Sequence, residues 1–286
     1  MSNSLNGMPT IVSHDVDVRA HDENGRPRHM GFFTDTSICI GCKACEVACK
    51  EWNDVPDDGL NFLGKSYDNT GSLGASTWRH VAFIEQTKPL PMAGAQDAGA
   101  MRWLMSSDVC KHCAHAACLD VCPTGALTRT EFGTVFVQPD VCNGCGYCVP
   151  ACPFGVIDRR EGDGRAWKCT MCYDRQRIDM EPACAQACPT KSIQYGEIGE
   201  LRRRADERVQ TLHDRGVAQA HLYGRDPEDG VGGFGAFFLL LDEPEVYGLP
   251  PDPVVTTRDL GEMWSVAAAA ALAMVAGVAA AFLRSR

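Results

Sequence analysis

The 286-residue sequence has no excess of positive charge: 27 Lys and Arg stand against 37 Asp and Glu, a formal net charge of −10. That balance excludes a nucleic-acid surface built on basic patches, and equally a polybasic lipid anchor. No apolar run opens the chain, so nothing in it marks secretion into an oxidising compartment where a disulfide framework would form. No paired catalytic carboxylates and no nucleophile–base arrangement can be picked out. The glycine-rich stretch GVGGFGAFFLLLDEP at 230–244 lacks the G-x-G-x-x-G spacing and has no preceding strand in a βαβ context, so it reads as a turn followed by a buried strand over 236–241. There is also no cysteine to spare.

All sixteen cysteines fall into four sets of four: Cys39, Cys42, Cys45 and Cys49; Cys110, Cys113, Cys118 and Cys122; Cys142, Cys145, Cys148 and Cys152; Cys169, Cys172, Cys184 and Cys188. The first and third sets have the spacing C-x2-C-x2-C-x3-C, the run that holds [4Fe–4S] clusters in bacterial ferredoxins. The others vary it, as C-x2-C-x4-C-x3-C and C-x2-C-x11-C-x3-C. A cubane needs one sulfur ligand per iron. Two-residue gaps let one tight loop wrap three corners, and the fourth cysteine, expected at a helix start, reaches the neighbouring cluster. Pro123, Pro153 and Pro189 follow the fourth cysteine in three sets and suit a chain turning away, whereas the first set has Lys50 there. Disulfides would not require four near-copies of one loop. Zinc ribbons use C-x2–4-C pairs across a longer gap, which only the fourth set resembles. The pattern predicts four [4Fe–4S] clusters, assembled under reducing conditions, in a chain that moves electrons.

Residues 1–34 are polar and read as a surface extension. Residues 35–195 hold every cysteine, and the 50–109 segment between the first two sets is the largest insertion. It contains a strand-like Trp78–Ile84 stretch and a small-residue run, PMAGAQDAGA, at 91–100. Short strands are expected in TVFVQPD at 134–140 and KSIQYGE at 191–197. Ile198, Leu201, Ala205, Val209 and Leu212 recur at helical steps and predict an amphipathic helix over 197–222. The 196–263 region then continues through the short strand into a proline-rich linker. Gly41, Gly144 and Gly146 sit where peptide N–H groups can reach cluster sulfurs. His112 and His115 read as surface groups, or as neighbours of the ligands. Lys43, Lys111 and Lys168 read as charges that offset a cluster or as plain solvent-facing lysines.

From Trp264 to Leu283 the chain runs twenty residues without a charge. As a helix that is about 30 Å, the thickness of a bilayer's hydrocarbon core. Its alanines and Gly277 permit close helix packing on a membrane partner. Arg284 and Arg286 follow it, while Asp259 and Glu262 precede it. This asymmetry predicts a single-pass helix with the C-terminus in the cytoplasm and the cluster body outside. With no leader of its own, export would rely on a partner's signal; without such a signal the body faces the cytoplasm.

The strings CIGCKACEVACKEWND at 39–54, CNGCGYCVPACPFGV at 142–156, KCTMCYDR at 168–175 and EPACAQACPT at 181–190 resemble the iron–sulfur beta subunit of membrane-bound respiratory formate dehydrogenases. The wider family includes electron-transfer subunits of dimethyl sulfoxide, nitrate and polysulfide reductases. The resemblance implies an α+β fold of two ferredoxin-like dicluster units, one inserted in the other (the inner over about 105–160), plus a single C-terminal transmembrane helix. It implies that Cys110, Cys113 and Cys118 are joined by Cys152, and Cys142, Cys145 and Cys148 by Cys122. In the outer unit, Cys39, Cys42 and Cys45 are joined by Cys188, and Cys169, Cys172 and Cys184 by Cys49. The spacing alone supports an exchange of fourth cysteines but does not choose between nested and consecutive pairing. The implied partners are a molybdenum or tungsten pterin subunit oxidising formate and a membrane cytochrome b subunit. Two other readings stay open: the equivalent subunit of another molybdopterin oxidoreductase, and a non-redox structural metal-binding protein.

Overall fold

Phe32 and Phe33 lie ahead of the first cysteine, inside the stretch read as an extension, yet both are buried. The computed structural model describes residues 28–59, 67, 70–86 and 102–284. In it Met30–Asp35 forms strand β1 at the interior of a four-stranded sheet. β1 runs antiparallel to β8 (Ile193–Glu197) and parallel to β10 (Ala236–Leu240), and β10 pairs with β9 (His221–Tyr223). Every residue of β10 is buried, as expected for a near-continuous apolar strand covered on both faces. Phe33 and Phe237, register partners across β1 and β10, stack with ring centroids 5.3 Å apart. The beginning of the described chain, the segment after the last cysteine and the glycine-rich stretch thus build one sheet. Polarity over residues 1–34 masked this, because the apolar strand occupies only its end.

Helix α6 (Ile198–Asp214) lays Leu201 and Ala205, both 0% exposed, toward the sheet, and Arg208 Nε donates to Asp35 Oδ2 at 2.8 Å. The helix ends earlier than its periodicity suggested. Gly216 takes φ +83° and Val217 N donates back to Leu212 O at 2.9 Å, which satisfies the last turn and frees the chain to enter β9. The proline-rich segment is not a free linker: Tyr247, Leu249 and Val255 are buried, and Tyr223 Oη donates to Pro250 O at 2.6 Å.

The insertion after the first set folds as a hairpin, β2 (Arg79–Gln86) with β3 (Arg102–Val109); residues 91–100 lie outside the described residues. Two ribbons serve the second and third sets: β4 (Leu127–Arg129) with β5 (Val135–Val137), and β6 (Asp158–Arg159) with β7 (Ala166–Trp167). Short helices α1 (Ala44–Asn53), α2 (Ala117–Asp120), α3 (Cys148–Ala151), α4 (Tyr173–Gln176) and α5 (Ala183–Gln186) lie among the cysteine loops. The last helix, α7 (Leu260–Arg284), has no buried residue and is long and apolar enough to cross a membrane. The architecture is mixed α and β.

Candidate metal centres

In all four C-x2-C loops the residue before the second cysteine is left-handed: Gly41 (φ +66°), His112 (φ +47°), Gly144 (φ +72°) and Met171 (φ +56°). The reversal folds each loop into a tight turn. Glycine is the low-strain choice, and at two positions a Cβ would also meet a close neighbour. A Cβ on Gly144 would stand 2.6 Å from Gly164 O, and one on Gly41 would stand 2.6 Å from Met105 Sδ. The helix beside each loop carries the third cysteine near its start, as Cys45, Cys118, Cys148 and Cys184 show. The fourth cysteine was expected at a helix start; instead Cys122 and Cys188 follow a helix and Cys152 caps one. After each of these three, the peptide N–H three residues on turns back to the cysteine carbonyl, as with Gly125 N to Cys122 O at 3.3 Å. The first set differs because it has no proline. Helix α1 continues through Cys49 to Asn53, whose Nδ2 reaches both Cys49 Sγ and Cys172 Sγ at 3.7 Å.

One cavity is lined by Cys110, Cys113, Cys118 and Cys152, and another by Cys39, Cys42, Cys45 and Cys188. Cys49 has Cys169, Cys184 and Cys172 as its electrostatic neighbours, and Cys148 has Cys142, Cys122 and Cys145. Every quartet therefore combines three cysteines of one set with the fourth of another. Among the described residues no three His, Cys, Asp or Glu side chains converge on a point that could hold a single metal ion. Thiols ringed around a gap suit a polynuclear cluster with one thiolate per iron, and do not suit tetrahedral zinc. Burial pushes the Cys45, Cys118 and Cys169 thiols up to about 12 and Cys148 to about 11. A cationic iron core supplies the charge that would make thiolates favourable there. Cys122 differs: burial pulls upward, but hydrogen bonds from Leu127, Thr124 and Ala126 outweigh it and lower its pKa.

Lys111 and Lys168 are not solvent-facing, at 1% and 2% exposure. Lys111 pairs with Asp108, and Lys168 Nζ donates to Val135 O and to Cys169 O at 3.0 Å. Lys43 stays half-exposed, 3.2 Å from Glu46. His115 is exposed, whereas His112 is buried and lines the Cys110 cavity. The Val135 N–H donates to His112 Nδ1 at 3.1 Å, so the ring's proton belongs on Nε2. Burial, with Lys168 nearby, holds this imidazole well below the usual histidine range, hence neutral. Sequence reading missed Arg79 altogether. It lies in the strand recognised from Trp78 to Ile84, and its Nη2 donates to Cys184 Sγ at 3.3 Å. Alternation along a strand predicts a face, not which sulfur that face meets.

Family models described as 4Fe–4S dicluster domains match residues 38–126 and 101–198, so together they cover all four sets. The nitrate-inducible formate dehydrogenase iron–sulfur subunit of Escherichia coli (strain K12) is 40% identical over 251 residues, 85% of this chain and 81% of that one. The formate dehydrogenase iron–sulfur subunit of Haemophilus influenzae is 41% identical over 225 residues, 77% of this chain and 68% of that one. The B subunit of the anaerobic dimethyl sulfoxide reductase of Escherichia coli is 36% identical over 174 residues, 61% of this chain and 76% of that one. Cysteine spacing, cysteine-lined cavities and this breadth of identity lead to one assignment: the chain belongs to the family of formate dehydrogenase iron–sulfur subunits.

Proposed function

We propose that this chain relays electrons through four [4Fe–4S] clusters, from a pterin-dependent subunit that oxidises formate to a membrane cytochrome that reduces quinone. The ligand sets are Cys39, Cys42, Cys45 with Cys188; Cys169, Cys172, Cys184 with Cys49; Cys110, Cys113, Cys118 with Cys152; and Cys142, Cys145, Cys148 with Cys122. This is the nested arrangement, with the second and third sets forming an inner unit inside the first and fourth. One observation carries the relay reading: three electrostatic couplings between cysteines of different quartets link the quartets in one order. Cys45 neighbours Cys184, Cys169 neighbours Cys110, and Cys118 neighbours Cys148. Each cluster supplies one-electron redox chemistry when bound. The chain's own residues fix the order of the centres and tune them by charge, hydrogen bonds and solvent exposure.

The two ends of the row support a polarity. Cys42 and Cys145 are the two exposed cysteines, one in each terminal quartet. Exposed Ile40 and Val47 adjoin Cys42, and exposed Val141 and Tyr147 adjoin Cys145. The approach to α7 is pinned to the two quartets of the second and third sets: Thr256 Oγ1 donates to Ala151 O at 3.1 Å, Thr257 Oγ1 to Asp120 Oδ2 at 2.6 Å, and Val255 lines the Cys110 cavity. Electrons enter at the Cys42 end and leave at the Cys145 end, in the half of the row that holds the approach to the helix that crosses the bilayer. Arg284, the last residue of α7, and Arg286 beyond it favour a cytoplasmic C-terminus and a cluster body on the opposite face.

The test uses the native complex purified anaerobically. Formate should bleach the cluster absorbance, and iron and acid-labile sulfide should each come to about sixteen per chain. Twelve irons or fewer in fully loaded material, stoichiometric zinc, or reduction by a sulfoxide-linked couple but not by formate would overturn the reading. Deleting residues 264–286 should sharply lower quinone-linked turnover relative to dye-linked turnover at unchanged iron content. An unchanged ratio would remove α7 from the electron path.

A further inference from the structure

Arg79 is 2% exposed, and among the described residues it has no carboxylate ion pair. Its Nη1 donates to Ser107 O at 3.2 Å and Ser107 Oγ at 3.3 Å, and its Nη2 donates to Cys184 Sγ at 3.3 Å. The Ser107 hydroxyl in turn lies 3.2 Å from Cys45 Sγ. The Phe32 ring covers the guanidinium at 4.9 Å, and Nε is buried without a partner. Its electrostatic neighbours are the sulfurs of Cys184, Cys45, Cys169 and Cys49, which carry negative charge as thiolate ligands of a bound cluster. Lys111, buried to the same degree, has Asp108 instead. A buried charge without a counter-ion is strongly unfavourable. The counter-charge of Arg79 is therefore the sulfur framework of two quartets, one reached directly through Cys184 and the other through Ser107 to Cys45.

We propose that Arg79 is a redox-positioning residue: a single cation, placed at the junction of the first two quartets, that raises the reduction potentials of both clusters held there. The proposal rests on the four-quartet reading above. Adding an electron to a thiolate-ligated cluster makes it more negative, so a nearby fixed cation stabilises the reduced form more than the oxidised one. In a dry junction that effect is little screened by solvent or salt. The same cation acts on both centres. It therefore makes each easier to reduce while disturbing the difference between them less, which keeps the step between them open in both directions.

The experiment is an anaerobic redox titration of the complete complex, followed by electron paramagnetic resonance, for wild type, Arg79→Met, Arg79→Gln and Arg79→Lys. Iron content is measured on each. Expected in both neutral variants is a downward shift of two of the four midpoint potentials, with the other two unmoved; Arg79→Lys should restore most of the shift. Ser107→Ala should lower only one potential, that of the cluster bound by Cys45, and by less. Four unchanged potentials in a fully loaded Arg79→Met protein would overturn the proposal while leaving the four-cluster reading intact. Loss of a cluster in all three Arg79 variants, lysine included, would make Arg79 a packing residue and overturn it too. Loss in the neutral variants with rescue of loading and potentials by lysine would support it. Fewer than sixteen irons in wild type would instead overturn the reading beneath it.

Discussion

The two quartets assigned above to an outer unit and the two assigned to an inner one are built from the same loop, yet they sit in different surroundings. Six of the eight outer cysteines are buried: Cys45, Cys49, Cys169, Cys172, Cys184 and Cys188. Only Cys110 and Cys148 of the inner eight are. The outer pair is flanked by the β2–β3 hairpin and by the four-stranded sheet, and the sheet's strands come from distant parts of the chain. The inner pair rests on two-stranded ribbons formed by residues close in sequence. Local sequence is enough to shape a cluster-binding loop, but long-range strands are needed to dry it. Electrostatics follow from this: the outer half has a buried guanidinium, while in the inner half Cys122 is governed by hydrogen bonds from nearby peptide groups.

The largest contrast should come from removing a fourth cysteine on each side. Cys49→Ser leaves a buried quartet incomplete where little water can substitute, so iron should fall by about four atoms per chain. The Cys39, Cys42 and Cys45 centre should survive. Cys122→Ser, half-exposed, should retain more of its cluster. Iron analysis with anaerobic structure determination distinguishes these outcomes, and loss confined to the Cys39 centre would show the pairing to be wrong.

Core truncations should rank next. Phe237 is 0% exposed and stacked on Phe33, so Phe237→Ala should cost about 3–5 kcal/mol. Val135, 1% exposed in the inner ribbon, removes fewer atoms, and Val135→Ala should cost about 2 kcal/mol. Anaerobic denaturant unfolding of loaded protein measures both; equal costs would erase the distinction between sheet and ribbon.

Glycine loops should give the reverse order. Gly144→Ala meets a backbone carbonyl, while Gly41→Ala meets the side chains of Met105 and Phe83, which can move. Both pay about 1–3 kcal/mol for a strained left-handed residue, and Gly144→Ala should lose more in thermal stability. The smallest effect belongs to Asn53→Ala. It deletes two long N–H···S contacts at 3.7 Å, and should cost about 1 kcal/mol or less and lower one outer potential slightly. A shift in an inner potential would contradict the placement of Asn53.

Much of the site could be read directly because thiolate ligands are spaced by the cluster they wrap. Sixteen cysteines in four runs gave the cofactor type and number; Val135–Val137 and Ala236–Leu240 announced themselves by apolar runs between turns, and Ile193–Glu197 as a short strand-like stretch after the fourth set. The end of α6 was less legible, since amphipathic periodicity continued past the point where Gly216 turned the chain. The burial of Lys111 and Lys168 was equally hidden, because a lysine beside a ligand looks the same in sequence whether its amine meets water or Val135 O.

Sequence by itself determined the loops, the cluster chemistry and a C-terminal helix long enough for a bilayer, because each depends on spacing or composition within a short stretch. Tertiary structure alone brought Cys188 to Cys39, Cys49 to Cys169, Met30–Asp35 against Ala236–Leu240, and Arg79 between Cys184 and Ser107. Except for Arg79 and Ser107, 28 positions apart, these contacts join residues more than a hundred positions apart. They arise from which apolar faces can be buried together, a property of the whole chain that no local motif encodes.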